Sequence, residues 1–335
     1  MKKWQIIFLL MLIVGTVVIL RNNSEERKTF HEEEGYIFGT VFHTKYEWKE
    51  SLQEEIMTEL NAVDASLSMF NPNSIISQIN RAEDPTVDSL FEEVYLQSRA
   101  ISEATGGAFD PTVAPLVNAW GFGFKEGTLP DSVTIDSLLQ LVGWQKVELR
   151  DGHLWKENKD MVLDFSAIAK GYGADRVGKL FAAKGINNYM IEIGGEIVCK
   201  GTNPKGEPWK IGINKPNEDN DAADEELQTI LALNDCAMAT SGNYRNYFVK
   251  DGVKYGHTIN PKTGRPIQQS ILSSTVVAPT CAMADGFATA FMVVGLEEAK
   301  SILANHPELK AYFIYADDNG AQQIWSTGGL NEEKP

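Results

Sequence analysis

Between Asn188 and Pro279 the chain is a succession of short strand-like segments: NYMIEIGG, EIVCKG, WKIGIN, TILAL, CAMATSG, YRNYFV, VKYGHTI and SSTVVAP. Turns rich in Gly, Pro and Asn separate many of them. Connections this short suit antiparallel hairpins and leave no room for the crossover helices of a parallel sheet. Helical periodicity is confined to other runs. Leu52, Ile56, Leu60, Val63 and Leu67 share one helical face, and further helices are predicted over 87–104, 131–142, 168–184, 281–295 and 296–304. Short strands with an RDGH turn between 145 and 165, and a closing strand AYFIYA, complete the reading. Strands and helices segregated in this way predict an α+β fold with a largely antiparallel sheet. No period of 20–50 residues repeats, which speaks against a solenoid or propeller.

The helical run CAMADGFATAFMVVG (281–295) is apolar apart from two oxygens, those of Asp285 and Thr289. Four residues apart, they project from one face. A buried carboxylate is costly unless it is paired, hydrogen-bonded or bound to a metal.

The chain's 335 residues carry a formal net charge of −16. That balance argues against nucleic acid, whose binding rests on basic patches. It also means that any nucleotide or diphosphate must be held by a local device, such as a metal ion or aimed backbone N–H groups. The acidic runs Glu32–Glu34 and NEDNDAADEE (217–226) read as solvated loop or linker. Cys199, Cys236 and Cys281 have no metal-ligand spacing, and no His-x-x-x-His pair occurs, so a zinc site is not expected.

At the N-terminus, two lysines precede an uncharged run from Trp4 to Leu20. Its length is the short end of a membrane span, and no cleavage pattern follows it. The expectation is an uncleaved signal-anchor over 1–21, a polar tether over 22–35, and an exported body over 36–328.

Four stretches are candidates for chemistry. ATGGAFDPTVAPLVNAWGFG (104–123) is either an elaborate loop over a core or a permissive backbone that approaches a ligand, with Asp110 accepting hydrogen bonds from a base or ribose. LDFSAIAKGYGADRV (163–177) enters a helix near Ala167. Asp164 or Ser166 is placed to cap it, and Lys170 on its first turn would suit an anion. In YGHTINPKTGRPI (255–267) a turn explains everything except His257, which is either structural or a general base. In MATSGNYRNYF (238–248), Thr240, Ser241 and Gly242 are turn formers or ligand contacts.

With SMFNPNSIISQIN, EIGGEIVCKG, WKIGINKP and SSTVVAPTCAMADGFATAF, these stretches resemble, in order, the blocks of the ApbE family of Mg-dependent FAD:protein FMN transferases. The resemblance implies a T-fold-like architecture. It implies transfer of FMN from FAD to a threonine or serine hydroxyl of an exported acceptor, with release of AMP. The acceptor would carry Asp-x-x-Ser/Thr-Gly-Ala-Ser/Thr in a respiratory-complex subunit or flavin-carrier domain; this chain lacks that signature. By the resemblance, Asp285, Thr289 and the Ala167 carbonyl are Mg²⁺ ligands. Phe38, Met69, Phe70, Asn71, Asp110, Lys170 and Ile259 contact FAD, and His257 is the base. Phe70 stands where tyrosine is common, and Asn260 where aspartate is. Two alternatives remain open from sequence: hydrolysis of FAD to FMN and AMP, and non-catalytic flavin binding by a tethered protein.

Overall fold

The structure is a computed structural model that describes Trp4 and residues 29–122, 129–216, 226–242, 247–250, 253–268 and 270–334. Most of the expected signal-anchor, and residues 217–225 of the second acidic run, lie outside the described residues. Among the described residues no helix is long and apolar enough to cross a membrane.

Eight strands form the main sheet. In chain order they are β1 (Thr29–Ile37), β2 (Thr40–Trp48), β3 (Tyr189–Ile193), β4 (Glu196–Lys200), β7 (Cys236–Gly242), β8 (Ile271–Ala278), β9 (Lys310–Ala316) and β10 (Gln322–Ser326). They lie side by side in that same order, every pair antiparallel. A three-stranded sheet is made by β5 (Trp209–Asn214), β6 (Leu227–Leu233) and β11 (Glu332–Glu333). The helices used below are α1 (Gln53–Leu67), α2 (Ile75–Asn80), α3 (Ser89–Ala104), α4 (Ala114–Ala119), α5 (Ser132–Leu139), α6 (Ala169–Ala183), α7 (Cys281–Val294) and α8 (Leu296–Asn305).

The period-2 alternation of the strands assigns each face of the main sheet. Ala237, Ala239, Val276, Ala278, Ala311 and Phe313 point into the helical layer. Met238, Val277, Tyr312 and Ile314 point the other way, onto Trp209, Ile211 and Leu231 of the small sheet. The α+β, largely antiparallel expectation holds.

α7 is apolar nearly all round and is accordingly buried nearly all round, against β7, β8, α3 and α6. Two glycines permit this packing. A Cβ on Gly171 of α6 would lie 2.4 Å from the Cys281 carbonyl oxygen, and one on Gly286 of α7 would lie 2.6 Å from Ile101 Cδ1.

Three local expectations are corrected. The tether was read to residue 35, but Thr29–Gly35 is part of β1, and Glu32–Glu34 are strand residues instead of a loop. An edge strand carries polar side chains on its open face, so its acids look like linker; Glu32 in fact pairs with Lys45 of β2. Leu163–Phe165 was expected to be a strand and joins no sheet. Its backbone is held instead by the Asn80 side chain, which donates to Leu163 O (2.8 Å) and accepts from Leu163 N–H (2.8 Å). Neither Asp164 nor Ser166 caps α6, whose first flanking residue is Ile168; Asp164 Oδ1 accepts from the Ser166 N–H (2.7 Å). Beyond the expected closing strand, the chain adds β10 and β11.

The Gly171 approach yields a direct test. Gly171→Ala drives a methyl group into fixed backbone, so it should destabilise the fold by about 1–3 kcal/mol, the usual range for overpacking. Urea unfolding of the purified variant checks this, and an unchanged midpoint would show that the two helices separate at no cost.

Candidate active site

A cavity of about 990 Å³ opens where the 108–118 loop, the turn before α6, β5 and parts of β4, β7 and α7 converge. Small-molecule sites run from about 300 to 1,000 Å³, so this one is large enough for a dinucleotide. Its position follows from the packing described above. α7 begins under tight control: Asp175 of α6 accepts from the Cys281 and Ala282 N–H groups (2.8 and 2.9 Å). The Thr280 hydroxyl accepts from Met283 N–H (3.4 Å). One turn further on, Asp285 is only 3% exposed, and its Oδ2 accepts from the Gly171 N–H at 3.2 Å. The same close approach that demands glycine at 171 therefore supplies a donor to the buried carboxylate.

The i, i+4 pair predicted from sequence is realised: Asp285 and Thr289 both line the cavity, as does Ala167 in the turn leading to α6. The Thr289 hydroxyl is 3.1 Å from that of Ser241, and Thr240 is 2.9 Å from Thr275. Thr240, Ser241 and Gly242 thus belong to the cavity wall.

Lys170 donates to Glu196 Oε1. Burial opposes the charge on its ammonium, but the fields of Asp285 and Glu196 outweigh burial and hold the lysine above its ordinary range. Burial pushes both carboxyls up, while Lys170 pulls each back down. Both carboxyls end above their ordinary range, Glu196 at about 8, because one ammonium cannot balance two buried negative charges and a proton or a second cation is needed.

The remaining candidates divide. Met69, Phe70, Asp110, His257 and Ile259 line the cavity. Phe70 is 68% exposed and lacks the hydroxyl a tyrosine would bring. His257 sits after the 253–256 strand with its ring edge-on to Phe122, centroids 6.5 Å apart. The Asp110 carboxylate is already engaged. Oδ1 accepts from the Thr112 N–H (2.8 Å) and hydroxyl (2.6 Å), and Oδ2 from the Trp144 N–H (3.0 Å), so its evident task is to shape the loop.

Phe38 and Asn71 are not among the lining residues. Phe38 and Gly39 form the β1–β2 turn, both at positive φ, and the Phe38 ring packs over Gly173 of α6. The Asn71 amide donates to Asp64 Oδ2 (2.7 Å), and its oxygen accepts from the Asn73 N–H (3.0 Å). Asn260 works as a turn former in place of aspartate, accepting from the Lys262 and Thr263 N–H groups (2.8 and 3.3 Å). Sequence reasoning missed Glu196 and did not place Asp164 in the site; both line the cavity. The signal for Glu196 was a carboxylate directly after Gly194-Gly195, at the start of a strand and on the same face as the apolar Val198.

The residues present fit a hard divalent cation. The donors are a carboxylate, a hydroxyl and a carbonyl, all oxygen, in the wall of one cavity. Among the described residues no cluster of three or more His, Cys, Asp or Glu could form a complete protein cage. A donor set of one carboxylate and neutral oxygens suits Mg²⁺, which takes one or two carboxylates and completes its shell with water and substrate phosphate.

Comparison with known proteins identifies the family. The model of the ApbE family matches residues 38–313. The FAD:protein FMN transferase of Vibrio cholerae is 36% identical over 304 residues, covering 88% of this chain and 90% of that protein. Its counterpart in Haemophilus influenzae is 36% identical, covering 85% and 86%. The solved structure of the flavin transferase ApbE from Vibrio cholerae superposes with a TM-score of 0.80 at 34% identity, over 90% of this chain and 98% of that one. The chain belongs to the ApbE family.

Asp175 supplies a pH test of how α7 is anchored. Burial raises its carboxyl to about 6 despite the two N–H donors. With a folded value above the unfolded one of roughly 3.9, the folded state holds the proton more tightly. This contribution to stability is present below about pH 4 and is lost as pH rises through about 6. Urea titrations from pH 4 to 7 should show a downward slope in wild type that is shallower in Asp175→Asn; equal slopes would remove Asp175 as its source.

Proposed function

We propose that this chain transfers the FMN half of FAD to a threonine or serine hydroxyl of an acceptor protein, releasing AMP. The carrying observation is the juxtaposition of Asp285 and Thr289 with Lys170 in one dinucleotide-sized cavity. The names of its relatives support the same activity.

The chain's own groups fall into three tasks. Lys170 places a cation beside the diphosphate, in a protein whose net charge would otherwise repel it. Asp285, Thr289 and the Ala167 carbonyl would hold Mg²⁺, and the chemistry that ion supplies when bound is neutralisation of the diphosphate and of the departing AMP. His257 accepts the proton of the acceptor hydroxyl at a ring nitrogen. The acceptor oxygen then bonds to the FMN phosphorus as the bond from that phosphorus to the AMP oxygen breaks. Met69 and Phe70 cover the flavin end, the exposed ring of Phe70 lying at the cavity wall.

The proposed acceptor carries Asp-x-x-Ser/Thr-Gly-Ala-Ser/Thr in a respiratory-complex subunit or a flavin-carrier domain. The proposed location is the exported face of the membrane, with the N-terminal segment as anchor.

Incubating the protein with FAD, Mg²⁺ and a signature-bearing acceptor domain, then weighing the acceptor, tests the whole reading. An FMN-sized mass gain is expected. FMN and AMP released without that gain would replace transfer with hydrolysis, and tight FAD binding with neither product would leave storage. Asp285→Ala should abolish the gain while the protein stays folded; a variant that transfers at full rate and still needs Mg²⁺ would refute the ligand assignment. His257→Ala should slow transfer by roughly 100-fold or more, the usual worth of a general base. A pH–rate profile identical to wild type would remove His257 from that role.

A further inference from the structure

Glu196 is a buried charge for which flavin transfer supplies no task. It opens β4 directly after the Gly194-Gly195 turn, where both glycines have positive φ (63° and 102°). The residue is 4% exposed, and it lines the same cavity as Asp285. Oε1 accepts from the Lys170 ammonium, while Oε2 is buried without a hydrogen-bond partner.

The competing partner for Lys170 is Asp285. The two are close enough for each to feel the other's field, yet the hydrogen bond goes to Glu196. A lysine is a compact charge on a flexible four-carbon stem, with nothing in its own geometry to choose between neighbouring carboxylates. Released from Glu196, the ammonium would turn to Asp285 and occupy the carboxylate that a cation needs.

We propose that Glu196 is a positioning residue that tethers Lys170 away from Asp285, so that the site's two carboxylates hold two different cations. Glu196 holds the lysine and Asp285 the divalent metal ion. The inference rests on the flavin-transfer reading for its metal, but its test needs neither flavin nor acceptor. The arrangement explains why a buried glutamate with an unsatisfied oxygen persists in the wall of the cavity.

The test is Mg²⁺ affinity of the full chain in detergent without flavin, read as the Mg²⁺-dependent rise in unfolding temperature. Glu196→Ala should weaken the Mg²⁺ midpoint roughly tenfold, the scale of one charge-assisted hydrogen bond competing for Asp285. Glu196→Gln keeps an acceptor for the ammonium and should stay closer to wild type. The decisive variant is Glu196→Ala with Lys170→Met, which removes tether and competitor together and should recover the wild-type midpoint. A double variant as weak as Glu196→Ala alone would make Glu196 a metal ligand or a simple fold element and overturn the proposal. So would an unchanged midpoint in Glu196→Ala, or a wild type whose unfolding temperature ignores Mg²⁺. FMN transfer is scored separately on the acceptor's mass, so wild-type transfer together with an unchanged Glu196→Ala midpoint would refute the tether alone.

Discussion

The contact on which the rest of the site depends is the meeting of α6 and α7 at Gly171. The helices approach so closely that a single methyl group at this position would strike the Cys281 carbonyl. At that distance Asp175 can cap the first N–H groups of α7, and the Gly171 N–H can reach Asp285. Each polar contact partly offsets the cost of burying a carboxylate, and together they set the rotation and height of α7. Thr289 and Asp285 therefore arrive at the cavity as a rigid pair, carried by a helix that the surrounding core holds on nearly every side.

An acidic chain that handles an anionic dinucleotide cannot rely on its overall field. The charges are arranged locally instead. A lysine, two buried carboxyls and a patch of oxygen donors occupy one pocket. The acidic run Glu32–Glu34 is not part of the cavity wall, and Glu32 pairs across the β1–β2 hairpin. Net charge argued against nucleic acid as a partner but said nothing about how the anion is held.

Much of the architecture was legible because it rests on local periodicity. The alternation in β7, β8 and β9 shows which residues face helices and which face the small sheet, and the apolar run of α7 announces a buried helix. The errors fall where long-range contacts replace local signals. Leu163–Phe165 has strand composition but takes its hydrogen bonds from the side chain of Asn80. Thr29–Gly35 looks like linker because an edge strand shows water its polar side. Asp110, singled out from sequence, does line the cavity, and its oxygens also accept from Thr112 and Trp144.

The sequence by itself determined the α+β class, the buried helix and the Asp285–Thr289 pair, since spacing along a helix decides which side chains share a face. Only the tertiary structure decided that Lys170 belongs to Glu196, that Gly171 touches Cys281, that Phe38 packs over Gly173 and that Asn71 bonds to Asp64. Most of those facts depend on groups far apart in the chain, and the choice among competing partners is made by distance, burial and charge after folding. No periodicity in one segment encodes them.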